Sequence, residues 1–226
     1  MDNLNQPSLT KSWIRVGIVC GLAAVFIYPL MLLVEMPDML LAIAAGLFGP
    51  LLALAGIGTY HFISLHRKTV TVQIAALSNI AAGLTVNLMM IVQLSVNMWM
   101  KRSPEAALGG PSRQVLDDAW KLVNQVQLGL DISWDIFVAA GTVLFAVSML
   151  GHPKLGRILG WTGILIGTGL FAINFLTFPV PPAESGFIDL GPVMGLWYLV
   201  VGIKIIMSLK WVDKRLASAG REKSEA

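Results

Sequence analysis

Charge is scarce in this sequence. Only 13% of its residues are Asp, Glu, Lys or Arg, about half the share found in ordinary soluble domains. Cysteine is nearly absent. The single Cys20 excludes an intramolecular disulfide, and with three histidines it leaves no zinc-type Cys/His cluster. No HExxH, GxSxG or P-loop motif occurs, which removes the usual sequence marks of metalloproteases, serine hydrolases and nucleotide-binding loops. Segments of about ten residues that alternate apolar and polar, the mark of membrane barrel strands, are also missing. The net charge of +3 and pI of 9.1 do not indicate a nucleic-acid partner, because the basic residues sit in loops between apolar runs. No cofactor and no metal are expected.

What remains is apolar: 56% of the 226 residues are hydrophobic and the mean hydropathy is +0.74. A spanning helix needs about 20 predominantly apolar residues. Six stretches qualify: 13–34, 38–64, 70–99, 129–150, 156–178 and 189–210. The first is too long for a signal-peptide core and lacks a small-x-small cleavage site, so it reads as a retained helix. The fold class is therefore all-α, a polytopic membrane helix bundle forming one transmembrane domain over residues 1–226.

The connections assign sides. Lys11 and Arg15, then Arg67 and Lys68, then Lys154 and Arg157, then Lys210, Lys214, Arg215, Arg221 and Lys223 fall at alternate ends of the spans. Glu35, Asp38, Glu184 and Asp189 mark the other side. Positive residues collect on the cytoplasmic side, so both termini are expected in the cytoplasm of a multi-pass membrane protein. Residues 100–128 then lie outside as a loop and an amphipathic helix that runs into span four, with a bend expected at Gly129. Residues 211–226 form a basic cytoplasmic tail. Pro29 and Pro50 should kink spans one and two. Asp189 should cap span six, and "FPVPP" (178–182) should end span five.

Polar residues inside the spans are the candidates for function. On span four Asp131 and Asp135 share a helical face that Asn124 extends outward and Thr142 inward. Span three carries Asn79, Asn87, Gln93 and Asn97 within about a third of its circumference. Counting span lengths places Gln93, Asn97, Asp131, Asp135, Asn174 and Tyr198 in the outer half of the membrane. They define a candidate ligand-binding pocket, open to the outside, for a small polar or cationic solute. In the bland alternative, the aspartates are a wet cap at the helix boundary and Trp120 and Trp134 are interfacial anchors. Asp131 and Asp135 have no nucleophile beside them, so no catalytic residue is assigned and the reading leans against an enzyme. The alternative function is a structural or regulatory component that binds a protein or lipid partner through its external helix. Lys204 lies near the basic end and reads as a snorkelling lysine rather than a Schiff-base group. His61, His66 and His152 all fall on the cytoplasmic side, and His61 and His66 do not share a face.

Span five carries Gly160, Gly163 and Gly167 on one face. Such faces bring helix backbones together, either inside the bundle or across a homodimer. The stretches "GHPKLGRILGWTGILIGTGLF" and "GPVMGLWYLVVGIKI", covering the last third of the chain, resemble uncharacterised six-helix bacterial membrane proteins grouped as a domain of unknown function. The resemblance implies an all-helical bacterial integral membrane protein. It implies no activity and transfers no site residue.

The charge pattern makes one direct prediction. In a Cys20→Ser background, Ala107→Cys is expected to react with an impermeant thiol reagent added from outside. Reaction only from the cytoplasmic side would invert the map.

Overall fold

The computed structural model describes residues 6–102, 111–182 and 184–224, so part of the external loop read at 100–112 lies outside the described residues. Among them the chain is entirely helical: α1 (Gln6–Leu33), α2 (Asp38–Ser64), α3 (Val70–Arg102), α4 (Pro111–Met149), α5 (Gly156–Thr177), α6 (Gly191–Met207) and α7 (Leu209–Ser224). Helices α1 to α5 are each long and apolar enough to cross a membrane.

The expected sixth span differs in shape. Helix α6 has 17 residues and qualifies only together with α7, from which it is bent by 56°. At 1.5 Å per residue, 17 residues cover about 26 Å, short of the roughly 30 Å hydrocarbon core. The break falls at Ser208, whose hydroxyl donates to the Lys204 carbonyl while its own carbonyl accepts from Trp211 and Val212 N–H. The expected basic tail is therefore largely a helix. Its Val212 is fully buried, and Leu209, Trp211 and Leu216 pack against the core.

At Gly129, where a bend was expected, the helix is not interrupted. Helix α4 runs unbroken for 39 residues, about 58 Å, which carries it well beyond a bilayer core. In its outer part Leu116 is buried, but Val115 and Val126 are exposed, so the apolar face read there is only partly covered. At the start of α6, Asp189 Oδ1 accepts the Gly191 N–H at 2.8 Å, with Pro192 in the first turn. Helix α5 stops before Phe178 and Pro179.

Neighbours in sequence are neighbours in space from α1 through α5. Helix α6 packs on both α5 and α1, which closes the ring, and α7 touches α1 and α6. Small residues permit the close contacts. A Cβ on Gly17 would lie 2.5 Å from the Gly58 Cα, so α1 and α2 meet backbone to backbone. The glycine face of α5 is filled within the chain. A Cβ on Gly163 would sit 2.5 Å from Trp197 and 2.7 Å from Ala146, while Gly160 meets Leu150 and Gly167 meets Val143. The surface considered for a homodimer is thus already covered by α4 and α6.

Helix α2 runs through Pro50. A proline cannot bond the carbonyl four residues earlier, here Gly46. Asn87 of α3 donates its amide to that carbonyl at 2.9 Å. A neighbouring helix thus supplies the donor that the proline removed.

At the basic end, His152 in the α4–α5 turn is 2% exposed. Its Nδ1 accepts the backbone N–H groups of Lys154 and Leu155 at 3.2 and 3.3 Å. Its ring lies against Phe62, His66 and Trp211. Nε2 faces the Phe62 carbonyl without reaching hydrogen-bond geometry. Burial, and then the neighbouring His66, push its pKa down from 6.5 to about 4. The histidine is therefore a neutral peg between the ends of α2, α4 and α7.

The linkage sign follows from that lowered value. Between pH 6.5 and about 4 the unfolded chain binds a proton that folded His152 refuses, so this contribution to stability is present above the window and is lost as pH falls through it. Thermal unfolding in detergent should therefore show a steeper acid loss in the wild type than in His152→Asn, which keeps an acceptor but does not titrate. Equal slopes would show that His152 carries no such coupling.

Candidate functional site

Two polar centres lie inside the bundle, one above the other. The outer one is built from α4 and α5. Asp135 is only 8% exposed and points between the helices. Asn174, 1% exposed, donates from Nδ2 to Asp135 Oδ2 at 2.8 Å and to the Leu170 carbonyl at 3.0 Å. Both amide hydrogens are then used, while Asn174 Oδ1 has no partner. Leaving such an acceptor buried and unmet costs about 1–3 kcal/mol. The other Asp135 oxygen has no bonded donor among the described residues.

This pair lies below an acidic mouth. Asp131, one turn outward and half-buried, is within electrostatic range of Asp189 and Glu184 in the α5–α6 connection, and Asp135 is within range of Asp131 and Asp189. Tyr28 of α1 feels the same three aspartates. Beside the pair, between α4 and α5, a cleft of about 200 Å³ is lined by Ile132, Ile136, Asn174, Phe175 and Phe178. Both phenylalanines are more than half exposed toward the lipid-facing side. The cleft is apolar except for Asn174 at its back.

The inner centre joins three helices. The Tyr198 hydroxyl of α6 donates to Asn79 Oδ1 of α3 at 2.9 Å and lies 2.9 Å from Thr142 Oγ1 of α4. Thr142 also bonds the Val138 carbonyl at 2.7 Å, and Asn79 Nδ2 donates to the Ala75 carbonyl at 3.0 Å. Glycine makes the room: a Cβ on Gly56 would lie 2.8 Å from Asn79 Cβ, and one on Gly141 would collide with its amide.

Thr142 is two turns inward of Asp135, about 10 Å along α4. The layer between is apolar: Ala82, Val138, Ala139, Leu170 and Met194, all buried.

Of the residues expected in one pocket, Asp135 and Asn174 are brought together, with Asp131 at their mouth. Tyr198 is not with them and belongs to the inner centre. Gln93 and Asn97 stay half-buried on α3, and among the described residues no hydrogen bond links them to the aspartates. Trp134 is half-buried and packs against two core clusters, and its Nε1 has no partner. Asn79 was the residue on α3 to couple with Tyr198. Its position on the polar face of α3 was visible in the sequence, but the partner was not.

Tyr198→Phe tests the inner centre, because it removes one oxygen and keeps the packing. It leaves Asn79 Oδ1 without its donor and should cost about 1–3 kcal/mol. The expected outcome is a drop of several degrees in the detergent melting temperature, and an unchanged value would show that the three-helix network adds nothing.

Comparison with protein-family models, with curated proteins and with solved structures finds no match, so the functional reading rests on the geometry of these centres.

Proposed function

We propose that this protein binds a small organic cation at Asp135 and Asn174, in the manner of a membrane binding or transport protein. The observation that carries the reading is the buried Asn174 Oδ1, which has no partner, beside a buried Asp135 whose one side-chain donor among the described residues is Asn174, below an acidic mouth. A buried carboxylate is tolerated when it is neutralised or paired. Clefts lined by one sign of charge concentrate the opposite ion, and Asp131, Glu184 and Asp189 supply that sign here. Phe175 and Phe178 at the adjoining cleft favour a cation with an apolar body, because aromatic faces attract cations and bury methylene surface. The bacterial inner membrane and its outer face are the compartment this reading implies.

The dry layer of Val138, Leu170 and Met194 supports binding in this arrangement. Passage would require α6 to move. The exposed Val115, Leu122 and Val126 on the outer part of α4 favour a second reading, a protein partner on that helix.

The test uses choline and its neutral isostere 3,3-dimethylbutanol as probes on the full chain in detergent. Choline at about a hundred times its Kd should add about 2.7 kcal/mol of stability, read as a rise of several degrees in melting temperature. The neutral isostere should add little, and Asp135→Asn should abolish the choline effect while still melting cooperatively. A choline response equal in wild type and Asp135→Asn, or no response to choline, would sink the organic-cation reading.

A further inference from the structure

At the opposite end of the bundle, a second cavity has the reverse chemistry. Its volume is about 230 Å³, and it is lined by Lys154, Met207, Ser208, Lys210, Trp211 and Lys214. The lining holds three lysines and no acid. Lys154 comes from the α4–α5 turn, while Lys210 and Lys214 are one turn apart on α7. Among the described residues none of the three forms an ion pair: Asp213, the acid beside Lys214 in the sequence, is taken by Lys11 of α1. Three cations held around one cavity repel each other unless an anion lies between them.

The cavity is built by the α6–α7 break. Because α6 turns by 56° at Ser208, the first turn of α7 lies across the end of the bundle and brings Lys210 and Lys214 alongside Lys154. Helix α7 is held there by buried Val212, by Trp211 against Phe62 and His152, and by the Lys11–Asp213 ion pair. Arg215 lies over the Trp211 ring at 5.8 Å.

From these residues we infer that the cavity is a site for the phosphate headgroup of an anionic phospholipid in the leaflet on the basic side. Phosphate is the shared chemistry of a lipid headgroup and of free inorganic phosphate, and two features favour the lipid. Met207 on the cavity wall is 72% exposed, and Ile203 and Ile206 on the same short helix are also exposed, giving an apolar surface for acyl chains directly beside the lysines. The cavity also lies where the chain leaves the apolar span, the depth of headgroups. Basic pockets between spanning helices on the cytoplasmic side suit anionic headgroups for this reason. The site is independent of the Asp135 centre, and neither reading needs the other.

The test compares two charge-matched variants of the full chain, Lys210→Gln/Lys214→Gln and, at the α2–α3 turn, Arg67→Gln/Lys68→Gln. Each is purified from nanodiscs of phosphatidylcholine mixed equally with phosphatidylglycerol, and retained lipid is counted by native mass spectrometry. Wild type and the α2–α3 variant should retain phosphatidylglycerol over phosphatidylcholine by about tenfold or more, and the α7 variant by less than about twofold. Lys210→Arg/Lys214→Arg should restore the preference, which separates lost charge from a misfolded α7. The inference is overturned if the α7 variant keeps its preference, or if both charge-matched variants lose it equally, since that would be general attraction to a basic surface. It is also overturned if inorganic phosphate alone stabilises the wild type through the same lysines while no lipid preference appears, because the source would then be soluble phosphate.

Discussion

The constraint behind this structure is that hydrocarbon offers no hydrogen bonds. Every polar atom carried into the spans must find its partner within the chain. Most do so locally: Thr59, Thr85, Ser148, Thr162 and Thr177 each turn back to a carbonyl one turn earlier. Others do so across helices. Asn87 meets the carbonyl that Pro50 leaves open, and Trp197 donates to the Leu159 carbonyl at 3.0 Å. Tyr198 ties α6 to α3 and α4. These bonds work with the glycine contacts, because a side-chain hydrogen bond between helices requires backbones near enough to reach.

Against that accounting, the atoms left over become informative. Asn174 Oδ1 and Trp134 Nε1 are buried without partners on either side of Asp135, and among the described residues no hydrogen bond joins them to the polar groups of α3. A purely architectural bundle would have no reason to place an aspartate at 8% exposure with a single side-chain donor. Apolar residues of similar volume there would be at least as stable. The aspartate is costly where it stands, and its orientation toward Asn174 rather than toward solvent argues against a wet helix cap.

The helical architecture was legible in the sequence because run length and loop charge are direct consequences of bilayer thickness and of the positive-inside rule. The span boundaries for α2 and α5 fall within a residue of the observed helices. The break at Ser208 was not legible, because 189–210 is apolar enough to read as one span and no glycine or proline stands at the break. The same holds for α7, whose basic residues read as a tail and whose buried face depends on contacts with Phe62 and His152. In the site, Asp135 and Asn174 were found from depth alone. Depth could not separate Tyr198 from them, since two groups at similar depth on different helices meet only if rotation and crossing angle bring them together. That is why Gln93 and Asn97 failed to join the aspartates, although they share a helix with Asn79.

Helix α6 is the element common to every feature of interest. Met194 near its outer end closes the layer beneath Asp135, Tyr198 one turn inward holds the inner centre, and Met207 at its far end borders the basic cavity. It is also shorter than each of α1 to α5, and it is long enough to span only together with α7. This short helix is fixed at its centre by Tyr198 and Trp197 and at its end by the bent helix α7. Shifting it would uncover the apolar layer under Asp135 and, through Ser208, move Lys210 and Lys214 relative to Lys154. The carboxylate and the lysines sit at opposite ends of the bundle, yet both are bordered by residues of the same seventeen-residue helix, Met194 at one end and Met207 at the other.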